Sequence, residues 1–413
     1  MARLGRIIVE AIVLHSGRAA LLERLSHPFW FQSLGCVMGM DWHSSGITTS
    51  VLGALKRGLR PVEDELGIYV CGGRGRHSRE TPHELLLVGE RTGLPGDVLA
   101  RTSRLVAKVD SCAVQDGFDL YLHGFIVAAD GRWTVVQQGM NPSLKTARRY
   151  HWLSEGLKDF VDEPHAAIDG EPLGEIVNLA DHRASTSRRA QLELVAAGPD
   201  RFVGAMRTLP AERPARSPSP SQAVLPHLQM PHHHDVRADD VILRRLHGTI
   251  AAAQERAPVD YADLLLTPGL GARTVRSLAM VAEVIHGAPC RFTDPARFSL
   301  AHGGKDAHPY PVPLKVYDQT LSVLRQAVSA ARLGNTEKMD ALRRLDEQSR
   351  ALEPVSSGPG FDAFVANEWQ HSASYGGMSV FGPASKLPPR PRTAPRPRSS
   401  APTTPQLRLF VSR

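Results

Sequence analysis

The sequence predicts a mixed α/β (α+β) domain over residues 1–182, a Pro/Arg/Ser-rich linker over 183–238, an α-helical domain over 239–353 and a disordered tail over 354–413. Three observations carry this reading. Two alternating apolar runs, Leu120–Val127 and Trp133–Gln137, flank Asp130-Gly131, a pair suited to the positive-φ turn of a β-hairpin. From Val241 to Leu352 the apolar residues recur at helical spacing instead. Beyond Pro354 the chain is dominated by Gly, Ser, Pro and Arg, with too little apolar surface to offset the entropy of ordering.

The elements follow in order. Leu4, Ile7, Ile8, Ala11, Ile12, Leu21, Leu22 and Leu25 mark a helix or helical pair interrupted near Gly17. Gly67–Cys71 and Leu105–Val109 are β-branched runs and read as strands. In Thr81-Pro82-His83-Glu84 an N-cap, a first-turn proline and a capping-box acid precede Leu85, which places a helix start there. The prolines between Arg183 and His234 favour extended chain. Helices are expected over Val241–Ala253 and over Tyr317–Leu345, the latter broken at Gly334-Asn335.

Among 413 residues, 49 Lys and Arg stand against 42 Asp and Glu, a net charge of +7. The excess gathers in the tail, where Arg390, Arg392, Arg396, Arg398, Arg408 and Arg413 occur with no acid after Lys386. That balance favours a polyanionic partner. The four cysteines form no C-x-x-C pair, which argues against a zinc ribbon or a disulfide framework and fits a cytoplasmic location. No run approaches the roughly 20 apolar residues of a membrane span, so no membrane partner is expected.

Between Ala262 and Ala279, Pro268 ends one helix, Gly269 and Gly271 permit backbone angles that other residues resist, and Leu270 can plug the turn into the core. Thr274 begins a second helix with an apolar stripe of Val275, Leu278, Ala279, Ala282 and Ile285. The free amides of the turn then face outward as a site for phosphate oxygens, and Arg273 and Arg276 add charge without reading bases. A plain Pro-Gly helix turn is the alternative. The pattern resembles the helix-hairpin-helix of DNA glycosylases, ligases and repair nucleases: the proline, both glycines and the threonine position match. The resemblance implies contact with the sugar-phosphate backbone without sequence preference.

Candidate chemistry lies in the first domain. Asp41 and His43 share a face if extended, and Asp110, Asp116 and His123 sit beside strands that should be buried. A divalent ion, Mg²⁺ or Mn²⁺, held by Asp41, Asp110 and Asp116 with His43 and His123 nearby, would suit phosphodiester hydrolysis. The competing reading makes Asp110 a helix cap and Asp116-Gly117 a turn. Cys71–Arg79 is glycine-rich and basic, so Arg74 and Arg76 are candidate phosphate contacts. It lacks the Lys-Ser/Thr ending of a nucleotide loop, and ATP is not expected. Lys305, in a His-Gly-Gly-Lys run, is placed to reach the backbone or the first domain's site.

Pro28-Phe-Trp-Phe-Gln32, Gly39-Met-Asp-Trp-His-Ser-Ser-Gly46, Val135-Val-Gln-Gln-Gly-Met-Asn141, Arg149-Tyr-His-Trp152 and Ala301-His-Gly-Gly-Lys-Asp306 together resemble a prokaryotic family, the domain of unknown function numbered 763. The likeness runs from about Leu4 to Leu345 and implies one coherent chain rather than a reaction. Members usually carry a further stretch ahead of the first helix, so Met1 is expected to be an internal start. Gln406-Leu407-Arg408-Leu409-Phe410 is similar to the Q-L-x-L-F peptide by which bacterial replication and repair proteins dock on the sliding clamp, which implies a contact through Gln406, Leu407, Leu409 and Phe410. The expected function is a nucleoid-associated DNA-binding protein of replication or repair, acting as a metal-dependent nuclease. The alternatives are a non-catalytic adaptor tethered to the clamp and an RNA-processing enzyme.

Overall fold

Alternation in the middle of the chain builds the central sheet of the computed structural model, which describes residues 1–41, 44–208, 243–296, 314–331 and 333–352 and scattered positions between 365 and 389. The helices α1 (Ala2–Ser26), α2 (Pro28–Val37), α3 (Ile47–Leu59) and α4 (Glu63–Leu66) precede strand β1 (Ile68–Arg74). Non-helical backbone at Gly17 divides α1 where its apolar pattern lapses. Next come α5 (Arg76–Thr92), α6 (Gly96–Lys108) and a wide turn over Val109–Ala113, then β2 (Val114–Gln115), β3 (Asp119–Ala128), β4 (Trp133–Asn141), β5 (Thr146–Leu153), β6 (Ala167–Asp169) and β7 (Glu175–Asn178). The chain continues through α7 (Ser185–Ala196), α8 (Pro199–Thr208), α9 (Leu243–Arg256), α10 (Tyr261–Leu265), α11 (Ala272–His286), β8 (Arg291–Thr293), α12 (Leu314–Ala330) and α13 (Asn335–Leu352).

Five strands pair antiparallel in the order β1-β3-β4-β5-β6. Successive side chains leave opposite faces, so the sheet serves two cores. Phe125, Val127, Val135, Tyr150 and Trp152 join the core that includes Leu105 and Val106 of α6. Leu122, Ile126, Ala128 and Val136 face the other way, into the core of α1, α2, α3, α12 and α13. Fully burying one such side chain contributes about 1.5–3 kcal/mol, so these two cores are what hold the sheet between its helices.

A second sheet orders β2-β7-β8 and joins early and late chain, since Ile176 pairs with Phe292. Helix α11 packs on α7, while α12 and α13 reach back to α1 and α2. The stretches expected as separate domains, 1–182 and 239–353, therefore share cores within one compact unit, Met1–Gly358. In the second unit, Pro359–Arg413, β9 (Met378–Ser379) pairs with β10 (Gly382–Pro383).

Three sequence expectations need correction. Leu105–Val109 is not a strand: Leu105 and Val106 lie in α6, where helical spacing sends both to the core. The helix expected to start at Thr81 begins at Arg76. Gly75, at φ 65° and ψ −120°, makes the reversal, and Pro82 is carried inside the helix. The expected linker contains α7 and α8 over its first part, because Ala190, Leu194, Val195 and Phe202 reach the core. The remainder of that linker, 209–238, lies outside the described residues.

At the end of β1, Gly72 has a φ of 90°, and a Cβ there would lie 2.2 Å from the His123 carbonyl oxygen. Its N–H donates to Glu84 at 2.7 Å, and Lys56 donates to both Glu84 and the Gly72 carbonyl. Strand β1 and helix α5 are thereby locked together.

Candidate nucleic-acid interface

Helix α6 presents Ser103, Arg104, Ala107 and Lys108, with Ser111 just beyond, along one face at helical spacing. That face forms one wall of a cleft of about 500 Å³. Ser78 and Arg79, in the first turns of α5, form a second side, and the turn after α10, Leu266–Gly269, forms a third. Strands β3 and β4 supply the floor with His123 and Gln137. Arg79 and Arg104 are exposed and form no ion pair among the described residues. Lys108 is half-buried and donates to the carbonyl of Leu270, which ties α6 to the turn.

Behind the floor runs a buried relay of polar groups. Ser103 Oγ lies 2.9 Å from His123 Nε2, and His123 Nδ1 lies 2.6 Å from Gln137 Oε1. Gln137 Nε2 donates to Asp110, whose carboxylate also accepts from Trp152 Nε1 at 3.0 Å and His165 Nε2 at 2.5 Å. Burial pushes the His123 imidazole below the ordinary histidine range, partly offset by Gln137 and Asp110. The ring is therefore neutral at neutral pH.

The turn is built from its residue types. Asp260 caps α10 by accepting from the N–H of Asp263, and Gly269 takes φ 81°. Leu270 is 0% exposed and seats the turn in the core. Gly271 is extended at φ −126°, and a Cβ there would meet nothing within 4 Å. The conformational demand thus falls on Gly269 alone, correcting the expectation that both glycines meet one. Beneath the turn, Thr267 borders the cleft but is 1% exposed, and its hydroxyl is buried without a hydrogen-bond partner among the described residues.

A family model described as Protein of unknown function (DUF763) matches residues 1–312. The chain belongs to this family. Every residue lining the cleft lies within the DUF763 match, from Ser78 to Gly269. No curated protein and no solved structure matches the chain.

Of the residues read from the sequence, His123, Pro268 and Gly269 line the cleft. The carboxylates do not meet as a metal set. Asp110 accepts from three donors in the core. Asp116 accepts from Arg148 at 2.8 Å, Tyr150 at 2.7 Å and the Phe118 N–H at 3.1 Å, the last being the expected turn contact. Asp41 is exposed after α2. Among the described residues, three metal-ligating side chains converge at Glu163, Asp181 and His182, none of them anticipated. A divalent ion shared by Asp41, Asp110 and Asp116 does not fit this arrangement, because the buried pair spends its oxygens on protein donors.

Arg74 lies over the Tyr121 ring at 5.7 Å and Arg76 is exposed at the start of α5, both outside the cleft lining. Leu270 is a core residue and cannot touch a partner. Arg276 donates through Nε to Gln115 at 2.7 Å, and burial lowers its pKa, so it braces α11 against β2. Arg273 is exposed and Thr274 half-buried in the first turn of α11. His43, Lys305, Gln406, Leu407, Leu409 and Phe410 lie outside the described residues. Ser103, Arg104 and Thr267 were missed, and Arg79 stood only as the end of the basic Cys71–Arg79 stretch. Read at helical spacing, Ser103, Arg104, Ala107, Lys108 and Ser111 would have stood out as one polar stripe.

Among the described residues no helix is long and apolar enough to cross a membrane.

Proposed function

We propose that this cleft grips the phosphate backbone of DNA during replication or repair. The observation that carries the reading is the convergence of Arg79, Arg104 and Lys108 on a cleft closed by the 266–269 turn, with no carboxylate in its lining. Cations without paired acids are what a polyanion needs. The open space at Gly271 supports reading the turn as a helix-hairpin-helix. The fold does not need a glycine there, whereas a backbone approaching the first amides of α11 does. The clamp-like peptide Gln406–Phe410 adds a route to replication sites.

The test is binding of labelled duplex and single-stranded DNA, with RNA as competitor, over graded salt. Affinity should fall linearly with log salt and vary little with sequence. Binding that ignores salt, or that RNA competes away at equal concentration, would sink the DNA-backbone reading. Loss of clamp pull-down on deleting Gln406–Phe410, with DNA binding intact, is the expected result for the tail.

A further inference from the structure

The relay on the cleft floor is more than a set of satisfied core groups, because its hydrogen-bond directions are forced. Asp110 faces three donors, so the Gln137 amide must turn its NH₂ toward the carboxylate and its Oε1 toward His123. His123 Nδ1 must then carry the proton at the 2.6 Å contact. Nε2 is left as a lone pair, and only the Ser103 hydroxyl, 2.9 Å away, can supply the proton there. A hydroxyl on a neutral imidazole whose tautomer is held by a third group is the arrangement that activates a nucleophile. Ser103 is 2% and His123 4% exposed, yet both line the cleft, on the wall that carries Arg104 and Lys108.

We propose that Ser103 is the nucleophile of a metal-independent phosphoryl transfer on the nucleic-acid strand held in this cleft, with His123 as its general base. This rests on the backbone-binding reading above. Ser103 Oγ forms a bond to phosphorus as its proton passes to His123 Nε2. The bond from phosphorus to one sugar oxygen breaks, and the imidazolium returns the proton to that oxygen, which leaves as a hydroxyl. The strand end bearing the phosphate stays joined to Ser103 as a phosphodiester. Water then attacks phosphorus, giving its proton to His123, and the imidazolium passes that proton to Oγ as the Oγ–P bond breaks, which returns the serine and a terminal phosphate monoester. Arg79, Arg104 and Lys108 offset the charge that builds on the phosphate oxygens. Gln137 and Asp110 are positioning residues that act through the ring.

The experiment incubates the full chain with end-labelled oligonucleotide in EDTA, resolves products on denaturing gels, and reads binding separately by fluorescence anisotropy. Wild type should form a covalent adduct, which peptide mass spectrometry locates on Ser103. Ser103→Ala should stay folded, with a modestly lowered melting midpoint from the unpaired His123 Nε2, bind within about twofold of wild type, and form none. Gln137→Glu places a negative charge against Nδ1–H, so the acid limb of the rate profile should move to higher pH. A merely structural Gln137 would leave that limb in place. Wild type that binds but makes no adduct in EDTA overturns the proposal, as does metal-free cleavage that persists in Ser103→Ala or proceeds with no trapped adduct. Absence of binding by wild type overturns the cleft reading itself, and the nucleophile falls with it.

Discussion

Arg148 on β5 holds Asp294, just past β8, at 2.8 Å, with both side chains fully buried. The same guanidinium holds Asp116 at 2.8 Å, so one cation joins the central sheet to segments on either side of it in sequence. Asp294 also accepts from the N–H groups of Leu173 and Ala296. Its replacement by Ala leaves a buried cation half-compensated and two amides without acceptors. Asp294→Ala should cost about 3–5 kcal/mol, read as a lower urea midpoint. A midpoint within error of wild type would remove the pair from the stability account.

Three histidines, His123 and His151 buried and His27 half-buried, set the response to acid. Burial pushes His27 down to about 4, lowers His123, and, with Arg149 adding to it, holds His151 well below the ordinary value. In the unfolded chain these rings titrate near 6.5. The unfolded state therefore binds more protons as pH falls, so this stability is present above about 6.5 and is lost as pH drops toward the folded values. His27 alone accounts for roughly 3 kcal/mol across that window. Urea midpoints measured from pH 7 to pH 4 should fall steadily from about 6.5. A flat profile to pH 5 would contradict the neutral-core account.

The two glycines of the turn should respond in opposite ways. Gly269→Ala forces a side chain into φ 81° and should destabilise by about 1–2 kcal/mol. At Gly271 a Cβ would meet no neighbour within 4 Å, so Gly271→Val should cost only the poorer α11 N-cap, about 1 kcal/mol or less, while weakening DNA binding because the new side chain covers the α11 amides. Thermal melts and binding on the same samples separate the two effects.

Arg79 and Arg104 make a prediction that does not depend on the turn. The double change to Ala should reduce the salt slope of duplex binding by about 1.8, close to 0.9 for each phosphate no longer neutralised. Sequence preference should stay as it was. An unchanged slope in a folded variant would take this wall of the cleft out of the interface.

Legibility followed locality. The β3–β4 hairpin, the division of α1 and the break before α13 stand out because each depends on neighbours a few residues away. Misreading Leu105–Val109 shows the limit: three β-branched or long apolar residues in five fit a strand as well as a helix, and the helix is chosen by the single core that Leu105, Val106 and Val109 join. That one error hid the polar stripe from Ser103 to Ser111. His123 was visible as a buried imidazole in a strand, but its partners lie 20 residues before it and 14 after.

By itself the sequence determined the local grammar of this DUF763 chain: the hairpin at Asp130-Gly131, the helices on either side of Pro268, and an excess of cations. Only the tertiary structure decided which groups share a site. Asp110 and Asp116 looked like metal ligands because carboxylates beside strands have to be compensated. Folding compensated them with Trp152, His165, Arg148 and Tyr150, side chains brought in from later in the chain. The same packing carried the Thr267–Gly269 turn to α6, where the half-buried Lys108 meets it. Proximity across more than a hundred residues depends on how two cores close around one sheet, and no short stretch of sequence encodes that.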